Sequence, residues 1–593
     1  MGKQARDGPA RHGKPALTTE RHLITSALPY INGVKHLGNL IGSMLPADVY
    51  ARFQRGQGHE VLFICATDEH GTPAELAAAE AGVEVAEYCR EQHEVQREVC
   101  ARFALSWDHF GRTSAPANHE LTRDFAAALD DNGFLETRTT RQVFSVDDDR
   151  FLPDRYVIGT CPNCGYDRAR GDQCEHCTKQ LDPTELIDPR SAVSGSTNLE
   201  VRDTTHLFLL QSRLADEVGD WVRSRDSWSP LVRSIADKWL KEGVQDRSIT
   251  RDLSWGVPVD ADRFPALAGK VFYVWFDAPI GYLGASREWA DVDPAGRDWR
   301  RWWRLDEGAD DVTYTQFLGK DNVPFHTIGF PTTIIGSRQP WKLVDRIKGF
   351  SWLTYYGGKF STSGHRGIFM DDAAELLPSD YWRWFLLSNA PETNDSNFTW
   401  ETFAGVVNKE LAGELGNLVN RVGTLLGRHC DSLVPAPGPA GDPETQLEAA
   451  AEAAITAYLA AMADLEIRRA AQALRSLWSA GNVYLEQTEP WRLVKTDPDA
   501  AAGVLRRCLA LLATLGRVLE AFIPDTAAVL AGVVPLDAGG PVTTDLLTRL
   551  DRALVTGTPA AFPPILFRKI PEEEVEAWKA RFGGGDAGPA SSD

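Results

Sequence analysis

A short apolar run that stops at a proline and then opens a helix constrains the fold of this chain more than any other segment. Residues 23–28 have the length and composition of a buried strand, Pro29 ends the run, and a helical pattern carrying His36 and Asn39 follows. A strand, a tight loop and a helix N-terminus form a site for anions, because the unpaired N–H groups and the helix dipole point at the same place.

A second segment, GKFSTSG at residues 358–364, has the composition of a phosphate-binding loop. Its glycines let the backbone approach a ligand closely, while Lys359 and three hydroxyl groups supply charge and donors for phosphate oxygens. Taken alone, such a segment is more often a solvated Gly/Ser turn. Read together with the helix start at His36, it predicts one ATP site built from two distant parts of the chain.

Together the two segments resemble the paired signatures of class I aminoacyl-tRNA synthetases. HLGN at residues 36–39 stands where that family has His-Ile-Gly-His, and KFSTS at residues 359–363 stands where it has Lys-Met-Ser-Lys-Ser. Four longer motifs follow one another in the order typical of methionyl-tRNA synthetases. They are ALPYINGVKHLGN, ICATDEHGTP, VFYVWFDAPIGY and FLGKDNVPFH. The resemblance runs from about Leu23 to the region of Trp491.

The resemblance implies a ligase that activates methionine with ATP to methionyl-adenylate and transfers it to the 3′ end of tRNA(Met). An alternative of another class is a synthetase-like paralogue that binds tRNA or methionine with weak or no aminoacylation. Within the enzyme class, the rivals are synthetases for leucine, valine, isoleucine or cysteine. The aromatic pocket and the anticodon residues named below favour methionine over these.

The expected fold class is α/β: a class I Rossmann-like catalytic domain with a zinc-knuckle connective insertion, followed by an α-helical bundle that binds the anticodon. The expected units are a disordered tail (1–20), the first half of the catalytic domain (21–130), the insertion (131–245), the second half of the catalytic domain (246–349), a linker domain carrying the KFSTS loop (350–402), the helical anticodon-binding domain (403–568) and a second disordered tail (569–593).

Four cysteines in the insertion have the spacing of a metal site. Cys161 and Cys164 form one CxxC pair, and after nine intervening residues Cys174 and Cys177 form a second. Two such pairs match a tetrahedral structural Zn²⁺ site and leave no open position for catalytic water. Two disulfides are disfavoured in a reducing compartment, and the adjacent His176 is interpreted as a bystander.

The resemblance assigns the site residues one by one. The catalytic residues are His36, Asn39 and Lys359. ATP, accompanied by Mg²⁺, contacts His36, Gly38, Asn39, Asp321, Lys359, Ser361 and Thr362. Methionine contacts Leu28, Tyr30, Asp68, Trp275, Ala278, Pro279, Tyr282, Phe325 and His326. From composition alone, tryptophan and tyrosine at such positions are more often core residues.

Two of these carboxylates also follow strand-like runs, which is an independent reason to place them at a site. Asp68 comes after the run 61–66 and Asp321 after the run 314–318. Ligands of parallel sheets bind at the carboxyl ends of strands, where acidic groups can accept ribose hydroxyls. By spacing, Asp68 is equally suited to capping the helix that follows Gly71.

Two residues depart from the family signatures. Asn39 replaces the second histidine, and its amide can still donate to a phosphate oxygen. Thr362 replaces the second loop lysine, and a hydroxyl group does not replace a cation. Lys359, His365 or Arg366 are candidates for compensation, since losing one such contact typically costs about 3 kcal/mol.

The net charge of −21 argues against a broad basic surface for nucleic acid. Binding of tRNA therefore requires local patches, for which the candidates are Arg468–Arg469, Arg506–Arg507 and residues 421–428. By resemblance, the anticodon is read by Asn417, Arg421 and Trp491. Without the family, Trp491 is more simply a core residue at the end of a bundle.

No apolar run of 18 residues and no apolar N-terminal segment of a secretion signal appear in the sequence. We therefore expect a cytoplasmic enzyme with no membrane partner. No appended OB-type tRNA-binding domain follows the helical region, so a monomer is expected.

Overall fold

The computed structural model describes residues 19–171, 174, 176–177, 179, 181–362, 366–536 and 539–583. The strands are β1 (Arg21–Ser26), β2 (Glu60–Thr67), β3 (His109–Arg112), β4 (Leu135–Ser145), β5 (Arg150–Phe151), β6 (Val157–Thr160), β7 (Ala169–Arg170), β8 (Ile187–Ser191), β9 (Leu199–Leu209), β10 (Arg247–Ser248), β11 (Thr250–Arg251), β12 (Val271–Phe272), β13 (Val312–Gly319), β14 (Arg346–Phe350), β15 (Leu353–Tyr355), β16 (Gly358–Lys359) and β17 (Ser396–Phe398).

The α-helices are α1 (Leu37–Asn39), α2 (Leu45–Gly56), α3 (Thr72–Ala81), α4 (Val85–Arg102), α5 (Pro116–Asp131), α6 (Ala215–Arg223), α7 (Pro230–Glu242), α8 (Val274–Asp277), α9 (Gly281–Asp291), α10 (Arg300–Trp303), α11 (Phe330–Gly336), α12 (Met370–Leu376), α13 (Ser379–Ser388), α14 (Trp400–Val406), α15 (Asn417–His429), α16 (Asp442–Ala463), α17 (Ile467–Thr488), α18 (Pro490–Leu493), α19 (Pro498–Val518), α20 (Pro524–Val533), α21 (Leu546–Ala553) and α22 (Glu572–Phe582). π-Helical segments lie at Leu40–Met44, Phe325–Gly329 and Val407–Gly416.

A parallel sheet with the strand order β14-β13-β1-β2-β3 forms the centre of the N-terminal part. Every residue of β1 is buried, as expected for an apolar strand covered on both faces. The chain leaves β1 towards β2 on one side and returns as β13 on the other, so the strand order reverses between β1 and β13. Ligands of α/β proteins bind at such reversals, outside the carboxyl ends of the strands. The predicted α/β class is confirmed.

The helix after β1 is interrupted next to its proline. The sequence predicts a kink at Pro46, and the structure instead widens Leu40–Met44 into a π-helical turn and starts α2 at Leu45. This placement suits proline, because the first turn of a helix has no partner for the missing N–H group. The apolar residues that recur at helical spacing in this segment are buried: Leu37, Ile41, Leu45, Val49 and Phe53.

The insertion consists of antiparallel sheets. Strands β4 and β9 pair along residues 135–145 and 199–209, and β10 and β5 extend this sheet. A smaller sheet with the order β7-β6-β8 carries the two CxxC pairs on its connections. The loss of α/β alternation in this region agrees with the sequence pattern.

Helices α14 to α21 form the expected bundle. Its hydrophobic core is continuous with the core formed by the buried side chains of α2. The π-helical segment Val407–Gly416 and α15 together carry one apolar stripe. On this stripe Leu411, Leu415, Leu418 and Val422 are buried and Leu425 is half-buried. The rings of Phe53 and Tyr458 meet edge to face at 5.7 Å and join the two cores. Among the described residues, no helix has both the length and the apolar character needed to cross a bilayer.

The disorder predicted for residues 569–593 is wrong for the part that forms a helix. Helix α22 occupies Glu572–Phe582, and its Trp578 ring packs on Trp400 with centroids 5.0 Å apart. The glutamate-rich start that suggested disorder instead places negative charge at the N-terminus of the helix, where the dipole favours it. Residues 584–593 and 1–18 lie outside the described residues.

One buried guanidinium group ties the bundle to the nucleotide-fold helices. Arg383 on α13 donates to the Asp48 carboxylate on α2 at 2.7 Å and to the carbonyl groups of Phe103, Ala521 and Phe522 at 2.8–2.9 Å. Neither side chain of the ion pair is exposed. Burial alone raises the pKa of Asp48, but Arg383 and Arg52 hold it below its ordinary value.

Replacing Arg383 by methionine is expected to destabilise the protein by about 3–5 kcal/mol, because Asp48 is left as a buried carboxylate without its main partner. Urea unfolding followed by circular dichroism measures the change. The control is Arg90→Met, which removes an exposed ion pair with Glu87 and should cost less than about 1 kcal/mol. Equal effects of the two substitutions would contradict this role of Arg383.

Candidate active site

A cavity of about 780 Å³ opens at the carboxyl ends of β1 and β13, where the strand order reverses. It brings together residues from both signature segments and from the motifs VFYVWFDAPIGY and FLGKDNVPFH. The predicted site residues in its wall are Leu28, Tyr30, His36, Gly38, Asn39, Trp275, Asp321, Phe325, Lys359 and Thr362. Ser361 lies in the same loop and pairs its backbone with that of Arg366.

A smaller void of about 30 Å³ adjoins the cavity. Its wall contains the rest of the predicted amino acid pocket: Asp68, Ala278, Pro279, Tyr282 and His326, together with Leu28, Tyr30 and Trp275. The structure therefore places every described residue of the predicted ATP and methionine sets at or next to one cavity.

His36 and Asn39 cap each other at the start of the helix after β1. The N–H group of Asn39 donates to His36 Nδ1 at 3.2 Å, and the N–H group of His36 donates to Asn39 Oδ1 at 3.3 Å. Burial lowers the pKa of His36 to about 4, and Lys35 acts in the same direction, so the ring is neutral. Since Nδ1 accepts, the ring proton is on Nε2. His36 Nε2 and Asn39 Nδ2 are thus donors for an anion.

Lys359, on β16, is exposed and lies against Trp352. Its ammonium nitrogen is 4.0 Å from the centre of the indole ring, and that of Lys320 is 3.8 Å away. The indole N–H group donates to Asp321 Oδ2 at 2.8 Å, so the loop lysine and the predicted ribose carboxylate share one aromatic platform. Sequence reasoning did not assign Trp352, although it lies in the aromatic run before the loop.

Of the residues proposed to compensate for Thr362, His365 lies outside the described residues. Arg366 is described, and its Nη2 donates to the Tyr355 carbonyl group at 2.9 Å. Its guanidinium group is therefore engaged with the backbone of its own loop region.

The amino acid pocket has aromatic walls and one buried histidine. Trp275 and Phe325 stack with centroids 3.6 Å apart and an interplanar angle of 8°. His326 Nδ1 is 2.9 Å from the Asn322 carbonyl oxygen, and Tyr282 Oη is 3.0 Å from His326 Nε2. Burial lowers the pKa of His326 to about 4. The neutral ring thus donates through Nδ1 and accepts from the tyrosine.

Asp68 lies at the carboxyl end of β2 and is 4% exposed. Its Oδ1 has no hydrogen-bond partner among the described residues. Burial raises the pKa of Asp68 well above its ordinary value, with further contributions from Asp277 and Glu69. The alternative role in capping is wrong, because the N-cap of α3 is Gly71. A buried carboxylate with an open oxygen suits a cationic ligand group.

Behind Asp68 lies a buried pair that the sequence alone did not reveal. His70 Nδ1 and Asp277 Oδ2 are 2.6 Å apart, and neither side chain is exposed. The two residues belong to the motifs ICATDEHGTP and VFYVWFDAPIGY, so this pair joins the segment that carries Asp68 to the segment that carries Trp275.

The four cysteines of the insertion come together as a cluster. The Sγ atoms of Cys161, Cys164, Cys174 and Cys177 all lie within 4.8 Å of one another. The Cys161–Cys177 and Cys164–Cys174 distances are 3.9 and 3.6 Å, which exclude disulfides. A tetrahedron with metal–sulfur bonds of about 2.3 Å has edges of about 3.8 Å, so the cluster fits one thiolate-bound ion. His176 instead stacks on Tyr166.

Two of the three predicted anticodon residues touch each other on the bundle. The Arg421 guanidinium carbon is 5.0 Å from the centre of the half-buried Trp491 ring, and Arg421 also pairs with Glu486 at 2.7 Å. Asn417 is exposed one helical turn before Arg421. Trp491 is therefore not a fully buried core residue.

One of the proposed basic patches is wrong. Arg506 is only 4% exposed and donates to the carbonyl groups of Pro435, Asp551 and Leu554. Its neighbour Arg507 pairs with Glu448 and Asp551. The charges of both arginines are therefore neutralised or hydrogen-bonded within the protein and are not free to contact tRNA. Their contacts hold residues 551–554 against α19.

Comparisons with known proteins agree with this geometry. The family model "tRNA synthetases class I (M)" matches residues 22–423, and "Anticodon binding domain of methionyl tRNA ligase" matches residues 434–587. A methionine–tRNA ligase of Streptomyces avermitilis is 58% identical over 570 residues, covering 95% of this chain and 99% of the relative. One from Caulobacter sp. strain K31 is 56% identical over 570 residues, covering 95% and 100%.

Among solved structures, the methionyl-tRNA synthetase of Mycobacterium tuberculosis bound to methionyl-adenylate superposes with a TM-score of 0.73. The match covers 93% of this chain and 100% of that chain at 23% identity, so it shows a shared fold.

Proposed function

This chain belongs to the methionyl-tRNA synthetases and is a methionine–tRNA ligase; on that premise we propose how its cavity holds the reactants. The observation that carries the proposal is the meeting of both signature segments with an aromatic pocket and a buried carboxylate in one cavity. ATP takes the larger part of the cavity and methionine the smaller.

The amino acid is held at its two ends. Asp68 accepts the α-ammonium group, which supplies the positive charge that the buried carboxylate lacks. The thioether lies against Trp275 and Tyr282, because a polarizable sulfur packs well on aromatic rings. A void of about 30 Å³ holds little more than a water molecule. Trp275 and Phe325 must therefore separate when methionine enters.

The nucleotide is held by neutral donors and by the loop lysine. His36 Nε2 and Asn39 Nδ2 donate to phosphate oxygens beside the helix N-terminus, and Asp321 accepts the ribose hydroxyls. Lys359 leaves Trp352 to meet the charge that develops towards pyrophosphate. Mg²⁺ accompanies ATP and neutralises part of the phosphate charge when it is bound.

The methionine carboxylate then attacks the α-phosphate in line and pyrophosphate leaves. The 2′-hydroxyl of the terminal adenosine of tRNA(Met) next attacks the adenylate carbonyl carbon, and the mixed anhydride bond breaks to release AMP and a proton. The chain supplies positioning and electrostatic stabilisation for these steps. Asn417, Arg421 and Trp491 form the proposed anticodon contact, and the ligase is proposed to work as a monomer in the cytoplasm.

ATP–pyrophosphate exchange tests the proposal against its rivals. Exchange is expected with methionine and at least tenfold less with leucine, valine, isoleucine or cysteine, because the apolar pocket is lined by aromatic rings. Exchange with no amino acid would favour a paralogue that only binds, and preference for another amino acid would overturn the proposed pocket.

Lys359→Ala is expected to lower the exchange rate about a hundredfold, because it removes a charge that acts in the transition state. Methionine affinity, measured by calorimetry, should change little. The control is Lys569→Ala, which removes an exposed lysine of the C-terminal segment. An equal loss of methionine binding in Lys359→Ala would mean that the lysine supports the structure instead.

Trp491→Ala is expected to lower kcat/KM for aminoacylation of tRNA(Met) by roughly 5- to 150-fold, the range for losing one base stack worth about 1–3 kcal/mol. Pyrophosphate exchange without tRNA is the internal control and should remain at the wild-type rate. Loss of both activities together would place Trp491 in the folded core.

We also propose that the cysteine cluster holds one structural Zn²⁺ ion. The protein is expected to bind one equivalent of Co²⁺ with thiolate charge-transfer absorption, and Cys164→Ser should weaken this binding and lower the unfolding temperature. Cys430→Ser, at a half-buried thiol outside the cluster, is the control. Unchanged Co²⁺ spectra in Cys164→Ser would contradict the assignment.

A further inference from the structure

Among the described residues, three lysines are buried: Lys35, Lys342 and Lys348, at 5%, 8% and 8% exposure. Two of them have carboxylate partners, since Lys342 pairs with Asp345 at 3.0 Å and Lys348 with Glu392 at 2.7 Å.

Lys35 differs from both. Its Nζ donates to Asn32 Oδ1 at 3.1 Å, and no carboxylate oxygen of the described residues lies within 4 Å of it. A buried ammonium group without a counterion is costly, so an anion that enters later is a natural explanation.

The position of Lys35 fits such a role. It directly precedes His36, and it lines the active-site cavity together with His36 and Asn32. Its carbonyl group accepts from the Met370 N–H group, which fixes the backbone at this point. The side chain thus lies at the wall of the nucleotide cavity on a segment that is hydrogen-bonded to the start of α12.

The charges that face Lys35 are few. Burial lowers the pKa of its ammonium group to about 7, while Asp68 and Cys100 act in the opposite direction. His36, on the same loop, is neutral because burial also lowers its pKa. Asp68 lies at the amino acid end of the cavity, and its electrostatic effect on Lys35 indicates that the two side chains lie near the same part of the cavity wall.

The cavity also lacks a cation that the family signature leads one to expect. Thr362 stands where a second loop lysine is usual, Lys359 is exposed on Trp352, and Arg366 donates to Tyr355. Among the described residues of the loop, which leave out 363–365, Lys359 is therefore the one cation in the cavity wall.

We propose that Lys35 is a further ATP-binding residue, whose ammonium group contacts an anionic α-phosphate oxygen and supplies the charge that Thr362 does not. This inference rests on the proposed nucleotide role of the cavity. An entering phosphate favours the charged lysine, so ATP binding above pH 7 is accompanied by uptake of a proton.

The first experiment compares Lys35→Met with Lys342→Met in the full chain. Lys35→Met is expected to lower methionine-dependent pyrophosphate exchange about a hundredfold. Its methionine affinity should stay within about threefold, and its unfolding temperature should not fall, because a buried unpaired charge is replaced by an apolar chain of similar length. Lys342→Met removes the nearer of the two cations that pair with Asp345 and leaves Arg225 at 3.5 Å, so it should lower the unfolding temperature and preserve exchange.

The second experiment measures how kcat/KM for ATP depends on pH, because a merely structural lysine would not change this pH profile. In the wild type, kcat/KM for ATP is expected to fall as the pH rises above about 7, since the active form of Lys35 is protonated. This alkaline limb should be absent in Lys35→Met and displaced upward in Lys35→Arg, whose guanidinium group stays charged. Calorimetry in buffers of different ionisation enthalpy should show proton uptake at pH 8 in the wild type and none in Lys35→Met.

Two outcomes would overturn the inference. Exchange by Lys35→Met within about threefold of the wild type would show that no phosphate depends on this lysine. Loss of exchange together with methionine affinity and folding would make it a structural residue. If the wild type itself shows no exchange with methionine, the proposed function of the cavity fails first.

Discussion

The parallel pairing of β1 with β13 is the interaction on which the site depends. It aligns Ser26 with Phe317 and thereby places the loop after β1 beside the segment that carries Asp321. Parallel strands need long crossovers, and here the crossover contains β2, β3 and the whole insertion. Because the strand order reverses at this pair, a crevice opens where neither neighbouring connection covers the sheet. The cavity is therefore a consequence of topology before any side chain is considered.

Buried charges divide into two groups by whether they are satisfied. Asp48 and Arg383 neutralise each other, and the carbonyl groups around Arg383 accept its remaining N–H groups, so this pair joins domains and stays as it is. Asp68 and Lys35 lie at the cavity and act on each other electrostatically, but among the described residues neither forms an ion pair. The folded state bears the cost of both, and the reactants carry the complementary charges: an ammonium group for Asp68 and a phosphate for Lys35.

The loop side of the cavity is built around the Trp352 ring, beside which Lys320 also pairs with Asp395 at 2.9 Å. Trp352 holds Asp321 by a hydrogen bond and contacts the ammonium groups of Lys320 and Lys359. A cation on a ring face is attracted without being fixed in direction, and the exposed form of this contact is worth only about 0.5–1 kcal/mol. Such a contact suits a lysine that must leave its resting place when the nucleotide binds.

Local patterns identified those parts of the protein whose physics is local. Apolar periodicity indicates which face of a segment is buried. The residues of β1, the apolar positions of the helix after His36 and those of the helical region after Phe403 are buried as their patterns indicate. The CxxC spacing likewise brings thiols within reach of one ion. The roles of individual site residues and the domain boundaries remain predictions.

What the sequence by itself determined is therefore the fold class, the family and the segments that meet at the site. Tertiary structure alone decided which charges are paired. It buries Arg506, leaves Lys35 with no carboxylate of the described residues within 4 Å, and docks Trp578 on Trp400 where a disordered tail was expected. Periodicity reports on neighbours three or four residues apart, whereas the partner of a charge or a ring comes from a distant segment and exists only once the chain has packed.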